Sequence, residues 1–144
     1  MTRIVVDTSV LVKWFKRTDE DLVEQADALL AEIEARQAEV HVPSLLLYEI
    51  GNVFLLKSRL NADEMDEAFL NLEQLPLVVA PPAAPLLAHA GRLGRELDLT
   101  FYDASFLALA VELDCAFVTA DRQLFERVRS RKRVRHLSRT GPLE

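Results

Sequence analysis

Short apolar strands alternating with helices along the whole chain predict an α/β protein, a three-layer α/β/α sandwich with a central parallel sheet of four to five strands. Three observations carry this. Strand-like runs at residues 3–6, 40–42, 77–80 and 115–119 are rich in β-branched and apolar residues with little polar alternation, as in a sheet covered on both faces. The stretches between them repeat their apolar residues at helical spacing. Right-handed crossovers between parallel strands then leave few other arrangements.

The elements follow in order. Residues 3–6 form a β-branched strand that stops at Asp7, and Asp7-Thr8-Ser9 opens a helix with Val10, Leu11, Trp14 and Phe15 on its apolar side. A second helix spans residues 21–37, burying Leu22, Ala26, Leu29, Leu30 and Ile33. Residues 40–42 are a strand ended by Pro43. Residues 44–59 read as a helix capped by Ser44 and apolar almost all round, hence buried on most sides. Residues 62–73 are amphipathic, with Asn61 as cap and Asp63, Glu64, Asp66 and Glu67 early in the helix, where the macrodipole favours negative charge. A strand at 77–80 precedes the Pro81-Pro82 break. Helices at 83–96 and 102–113, a strand at 115–119, a short helix at 122–129 and a possible fifth strand at 134–137 complete the chain.

The 144 residues suit one domain with one core, and a composition half hydrophobic and 28% charged argues against disorder. A single cysteine, Cys115, excludes an intrachain disulfide framework and a cysteine-rich zinc site. No apolar run is long enough to span a membrane, and the N-terminal run is too short for a secretory signal, so a cytoplasmic protein is expected. The net charge of −6 conceals an asymmetry. Residues 1–121 hold 9 Lys/Arg against 21 Asp/Glu, and residues 122–144 hold 8 against 2. A basic end on an acidic body can meet a polyanion locally, or can simply be a solvated tail.

Four acids sit where carboxylates are costly. Asp7 ends the apolar Ile4-Val5-Val6. Glu49 interrupts Leu45-Leu46-Leu47-Tyr48 and Ile50. Asp103 lies in the nearly all-apolar Phe101–Leu109 segment, and Asp121 follows Phe117-Val118-Thr119-Ala120. Each has a structural explanation. Asp7 and Asp121 can cap the helices they precede, Asp103 can satisfy early helix N–H groups, and Glu49 can pair with Arg92 or Arg95. Together they say more. Carboxylates gathered at about 5 Å repel by about 3 kcal/mol per pair at an effective dielectric of about 20. Such a set retains protons or takes divalent cations, and oxygen-only donors select Mg²⁺ or Mn²⁺. Thr8, Ser9 and Thr119 beside the strand-end acids, and Asn52 one turn after Glu49, are candidate supports, with local capping the alternative for Thr8 and Ser9. His41, His89 and His136 show no ligand spacing and read as structural or exposed.

These residues resemble a known family. Asp7 in IVVDTSVLVKWF, Glu49 in PSLLLYEIGNVF, Asp103 in TFYDASFLALA and Asp121 in FVTADRQLF are similar to the four acidic motifs of the PIN domain, and most of all to VapC-type toxins of prokaryotic toxin–antitoxin modules. The resemblance covers nearly the whole chain, residues 1–144 as a single PIN-like nuclease domain. It implies a Mg²⁺- or Mn²⁺-dependent endoribonuclease that leaves a 5′-phosphate and a 3′-hydroxyl. It also implies a homodimer and a small VapB-type antitoxin whose C-terminal segment covers the site. Asp7, Glu49, Asp103 and Asp121 would then be both catalytic and metal-binding, with Thr8, Ser9, Asn52 and Thr119 in support. Lys13, Lys16, Arg17 and the basic terminal stretch are candidates for holding RNA. The alternative is a PIN-fold module that captures RNA or protein with little turnover. Other acidic α/β families fit poorly: the first strand is followed by neither D-x-D nor D-x-S-x-S, and Asp7 lacks an acidic neighbour there.

Overall fold

The computed structural model describes residues 2–139. Strand β1 (Arg3–Val6) leads into a short helix α1 (Thr8–Leu11) that tightens to a 3₁₀ turn over Val12–Trp14. Helix α2 (Val23–Ala35), strand β2 (Glu39–Pro43), helix α3 (Leu45–Asn52), helix α4 (Ala62–Glu73) and strand β3 (Leu77–Ala80) follow. Helices α5 (Ala84–Leu97) and α6 (Phe101–Leu113), strand β4 (Ala116–Thr119), helix α7 (Arg122–Val128) and strand β5 (Val134–His136) complete the described elements.

All five strands are parallel, in the order β3-β2-β1-β4-β5. The fully buried Ile4-Val5-Val6 sits at the centre, with Ile4 facing Val40 on one side and Ala116 on the other. The chain winds outward from β1 through β2 to β3, then returns to lay β4 against the free edge of β1. That reversal opens a crevice beyond the carboxyl ends of β1 and β4, where ligands bind in open parallel sheets. Asp7 and Asp121 both stand there.

Helix α6 explains the other half of the site. Residues 104–110 are buried on every side, packed on β1, β2 and α5, so only its first turn reaches the crevice. The α5–α6 turn is tight. Asp98 ends α5 in the left-handed region (φ 55°), and a β-carbon on Gly94 would lie 3.2 Å from the Leu99 carbonyl oxygen. Thr100 caps α6 by accepting the Asp103 N–H.

Three expectations need correction. Residues 44–59 are not one buried helix: α3 ends at Asn52 and a π-helical turn follows over Val53–Lys57. The wider turn accommodates Phe54, fully buried edge-on between Phe15 and Phe69, while Leu55, Leu56 and Tyr48 face outward. Ser44 is no cap, because its backbone is already helical and its side chain accepts no helix N–H. Helix α2 is shorter than residues 21–37, bounded by left-handed Leu22 (φ 54°) before it and Gln37 (φ 54°) after it. Asn61 does cap α4, in a reciprocal capping box with Glu64.

Candidate active site

The site begins at Asp7. Its backbone is extended, as a helix cap requires, but its carboxylate makes no capping hydrogen bond of good geometry, and the nearby Val10 N–H does no more than lower its carboxyl a little. Two hydroxyls claim it instead. Ser9 Oγ donates to Oδ1 at 2.5 Å and Thr119 Oγ1 donates to Oδ2 at 2.5 Å. Thr119 is wholly buried at the end of β4, so this bond joins the two central strands at the crevice. Burial pushes the Asp7 carboxyl up to about 6, against the stabilising hydroxyls and with a smaller push from the negative charge of Asp103.

Glu49 and Asp103 approach from the two helices that end on the crevice. Glu49, half-buried on α3, accepts the Thr8 hydroxyl at 2.7 Å. Desolvation raises its carboxyl, the Thr8 hydrogen bond lowers it, and Asp103 raises it further. Asp103, also half-buried, is raised by desolvation and then by Asp121. Asp103 is therefore the common neighbour, felt by Asp7 and Glu49 and itself feeling Asp121. Asp121 is exposed and caps α7 by accepting the Leu124 N–H at 3.1 Å. Its own N–H donates to Thr119 Oγ1 at 3.0 Å.

The geometry separates the structural explanations. Capping holds for Asp121 and fails for Asp7. Among the described residues Glu49 forms no ion pair with Arg92 or Arg95; its partner is a neutral hydroxyl. Thr8 and Ser9 spend their hydroxyls on the acids Glu49 and Asp7, and Asn52 lies exposed at the end of α3. Among the described residues no three His, Cys, Asp or Glu side chains are already drawn to the spacing that would grip a metal ion. Asp103 interacts unfavourably with each of the other three acids, and the carboxyls of Asp7, Glu49 and Asp103 are raised, so the site is a set of hard oxygen donors short of counter-charge. That donor chemistry fits a hard divalent cation.

Two candidates for holding RNA are otherwise engaged. Lys13 is buried, with Nζ donating at 3.0 Å to Glu20 Oε1 and Asp21 Oδ1 and at 2.8 Å to the Asp21 carbonyl. It pins the loop before α2 and cannot reach a polyanion. Arg17 forks onto both oxygens of Asp27. His136, read from the sequence as merely structural or exposed, is buried one strand away from the acids and hydrogen-bonded to the Ala120 carbonyl. No spacing rule relates His136 to Asp7, because only the β4–β5 pairing brings them near.

The PIN domain family model matches residues 4–130. Ribonuclease VapC3 of Pyrobaculum aerophilum is 30% identical over 129 residues, covering 87% of this chain and 94% of that protein. Among solved structures, a toxin–antitoxin complex from Klebsiella pneumoniae superposes with a TM-score of 0.65 at 16% identity, covering 91% of this chain and 94% of that one. Mycobacterium tuberculosis VapC20, a toxin that cleaves the sarcin–ricin loop, superposes with a TM-score of 0.63 at 20% identity over 85% of this chain and 93% of that one. The last two likenesses concern the fold. The family match runs from the first strand to just past α7 and takes in all four acids, so the chain belongs to the PIN domain family.

Proposed function

We propose that this protein is a Mg²⁺- or Mn²⁺-dependent endoribonuclease that hydrolyses RNA phosphodiester bonds as the toxin of a VapBC-type pair. The observation that carries it is the Asp7 carboxylate, buried at the sheet's switch point, raised to about 6 and held by two hydroxyls beside Asp103. Burying a carboxylate without a cation is costly in a merely structural role. Asp7, Glu49, Asp103 and Asp121 would hold the ion, which when bound supplies counter-charge to the acids and an electrophile for a phosphodiester oxygen.

The residues have distinct duties. Ser9 and Thr119 orient both oxygens of Asp7, and Thr8 orients Glu49. Half-buried Glu49 and Asp103, with carboxyls raised by desolvation, are placed to accept a proton from an attacking water. The whole chain acts as one nuclease domain, a homodimer in the cytoplasm, silenced by a VapB-type antitoxin that covers the crevice. Support for the RNA substrate and the antitoxin comes from the ribonuclease relative and from the toxin–antitoxin architecture of the structural neighbours.

The test is cleavage of RNA by purified protein, with Mg²⁺ or Mn²⁺ and with chelator, for wild type, Asp7→Asn and Glu49→Gln. Metal-stimulated cleavage reduced about 100-fold or more in both variants is expected, the scale of losing a general base or an electrostatic group. Binding without turnover in the wild type would favour a capture module. Cleavage that persists in chelator and in Asp7→Asn would overturn the nuclease site altogether.

A further inference from the structure

We propose that His136 is a positioning residue for this site, holding the Ala120–Asp121 peptide so that Thr119 presents its hydroxyl to Asp7. The proposal rests on the nuclease reading above and adds to it a residue outside the acidic motifs.

The hydrogen bonds run in one direction. The Ser138 N–H donates to His136 Nδ1 at 3.1 Å, so Nδ1 is the unprotonated nitrogen and the single ring proton sits on Nε2. The Ser138 hydroxyl lies 2.8 Å from the same nitrogen and reinforces it as an acceptor. Nε2 then donates to the Ala120 carbonyl at 3.3 Å. The other end of that peptide, the Asp121 N–H, donates to Thr119 Oγ1 at 3.0 Å, and Thr119 Oγ1 donates to Asp7 Oδ2 at 2.5 Å. One peptide plane is therefore gripped on one edge by the imidazole and on the other by the hydroxyl that orients Asp7. Successive bonds of this kind polarise one another.

The sheet alone does not provide this grip. The last ladder bond between β4 and β5 is Leu137 N–H to the Thr119 carbonyl at 2.8 Å, and it leaves the Ala120 carbonyl one residue beyond the ladder. His136 fills that gap with a side chain. The ring has no freedom to do otherwise: it is buried, and Phe125 packs edge-on with centroids 5.5 Å apart. Burial, with the Arg122 charge nearby, lowers the imidazole below its ordinary value, and this favours the neutral tautomer the geometry requires. A second branch, Ala120 N–H to Ser9 Oγ at 2.9 Å, secures the neighbouring peptide to the other hydroxyl on Asp7.

Two substitutions separate positioning from bulk. In His136→Gln the amide nitrogen takes the place of Nε2 and keeps a donor for Ala120. In His136→Asn the amide stands near the Nδ1 position and cannot reach it. Hydrogen exchange of the Asp121 amide in metal-free protein, Mn²⁺ affinity by calorimetry, and kcat and KM for RNA are read for both. His136→Asn should speed Asp121 exchange about tenfold or more while amides of β2 and α5 are unchanged. It should weaken Mn²⁺ about tenfold, as loss of a group supporting a metal ligand does, and lower kcat with KM preserved. His136→Gln should remain near wild type. In a Thr119→Val background the Gln and Asn variants should bind Mn²⁺ alike, because the next link is gone. Equal behaviour of Gln and Asn in the wild-type background, or a difference that survives Thr119→Val, overturns the proposal. Should Asp7→Asn leave Mn²⁺ binding and cleavage intact, the metal-nuclease reading fails instead, and Asp121 exchange still decides the role of His136.

Discussion

At the scale of single residues, Asp7 couples function to stability. Its carboxyl titrates near 6 in the folded protein and at 3.8 when unperturbed, so the unfolded chain releases this proton first. As pH rises from about 4 to about 6, the metal-free folded state loses roughly 3 kcal/mol relative to the unfolded state. The contribution is fully present below pH 4 and gone above pH 6. Glu49 and Asp103, also raised, act in the same sense. Urea midpoints in chelator should therefore fall between pH 4 and pH 7, and Asp7→Asn should flatten most of that fall. An equal fall in the variant would assign the titration to other groups. The sequence displayed Asp7 because a carboxylate at the end of Ile4-Val5-Val6 contradicts its surroundings. It could not display Lys13 as buried, because the acids that accept it, Glu20 and Asp21, lie in a loop with no periodicity to read. His136 was hidden for the same physical reason. Its partner is the Ala120 backbone carbonyl, just past the end of β4, and backbone partners leave no trace in residue identity.

At the scale of elements, what was legible is what local chemistry decides. Strand β3 begins and ends where its apolar run does, and α4 starts at the Asn61–Glu64 capping box written in its sequence. The π-helical turn after α3 was not legible, since it answers to the packing of Phe54 between two distant rings. Helix α5 offers a test of how far such packing overrides propensity. Gly91 faces open space, and a β-carbon there meets nothing within 4 Å. Gly94, one turn on, lies against the Leu99 carbonyl and the Ala104 side chain, where α5 turns into α6. Gly91→Ala should stabilise by about 0.5–1 kcal/mol through helix propensity alone. Gly94→Val should cost about 1–3 kcal/mol, because backbone at the neck of α6 must move to admit it. Thermal midpoints should shift a few degrees in opposite directions. Since Asp103 sits in the first turn of α6, Gly94→Val should also reduce cleavage more than Gly91→Ala does. A stabilised Gly94→Val would show the α5–α6 turn to be slack, and Asp103 with it.

For the molecule as a whole, the question is how an acidic protein holds an acidic polymer. Residues 122–144 carry 8 of the 17 cationic side chains, and by sequence they are a candidate grip as much as a solvated tail. Folding spends half of them. Arg127 pairs with Asp98 at 2.9 Å, Arg129 with Glu126 at 3.1 Å, Arg131 with Glu96 at 2.5 Å and Arg133 with Asp114 at 3.4 Å. Arg135 is half-buried and feels the charge of Glu32. Three of the four ion-pair partners, Asp98, Glu96 and Asp114, belong to the acidic body, so the described part of the basic stretch, residues 122–139, is docked on the body rather than extended from it. Among the described residues of this stretch, Arg122, Lys132 and Arg139 are exposed without an ion pair. Each phosphate neutralised by a single-stranded ligand contributes about −0.7 to the slope of log affinity against log salt. Eight free cations would give about −6, whereas three give about −2. Fluorescence anisotropy of a labelled RNA bound to Asp7→Asn, across a salt series in chelator, measures that slope. A value near −2 means that the body's own acids have neutralised most of the basic end, leaving the divalent ion to draw RNA into the crevice. A value near −6 would mean that RNA displaces those surface pairs, each worth no more than about 1 kcal/mol, and that the basic end is a grip held in reserve.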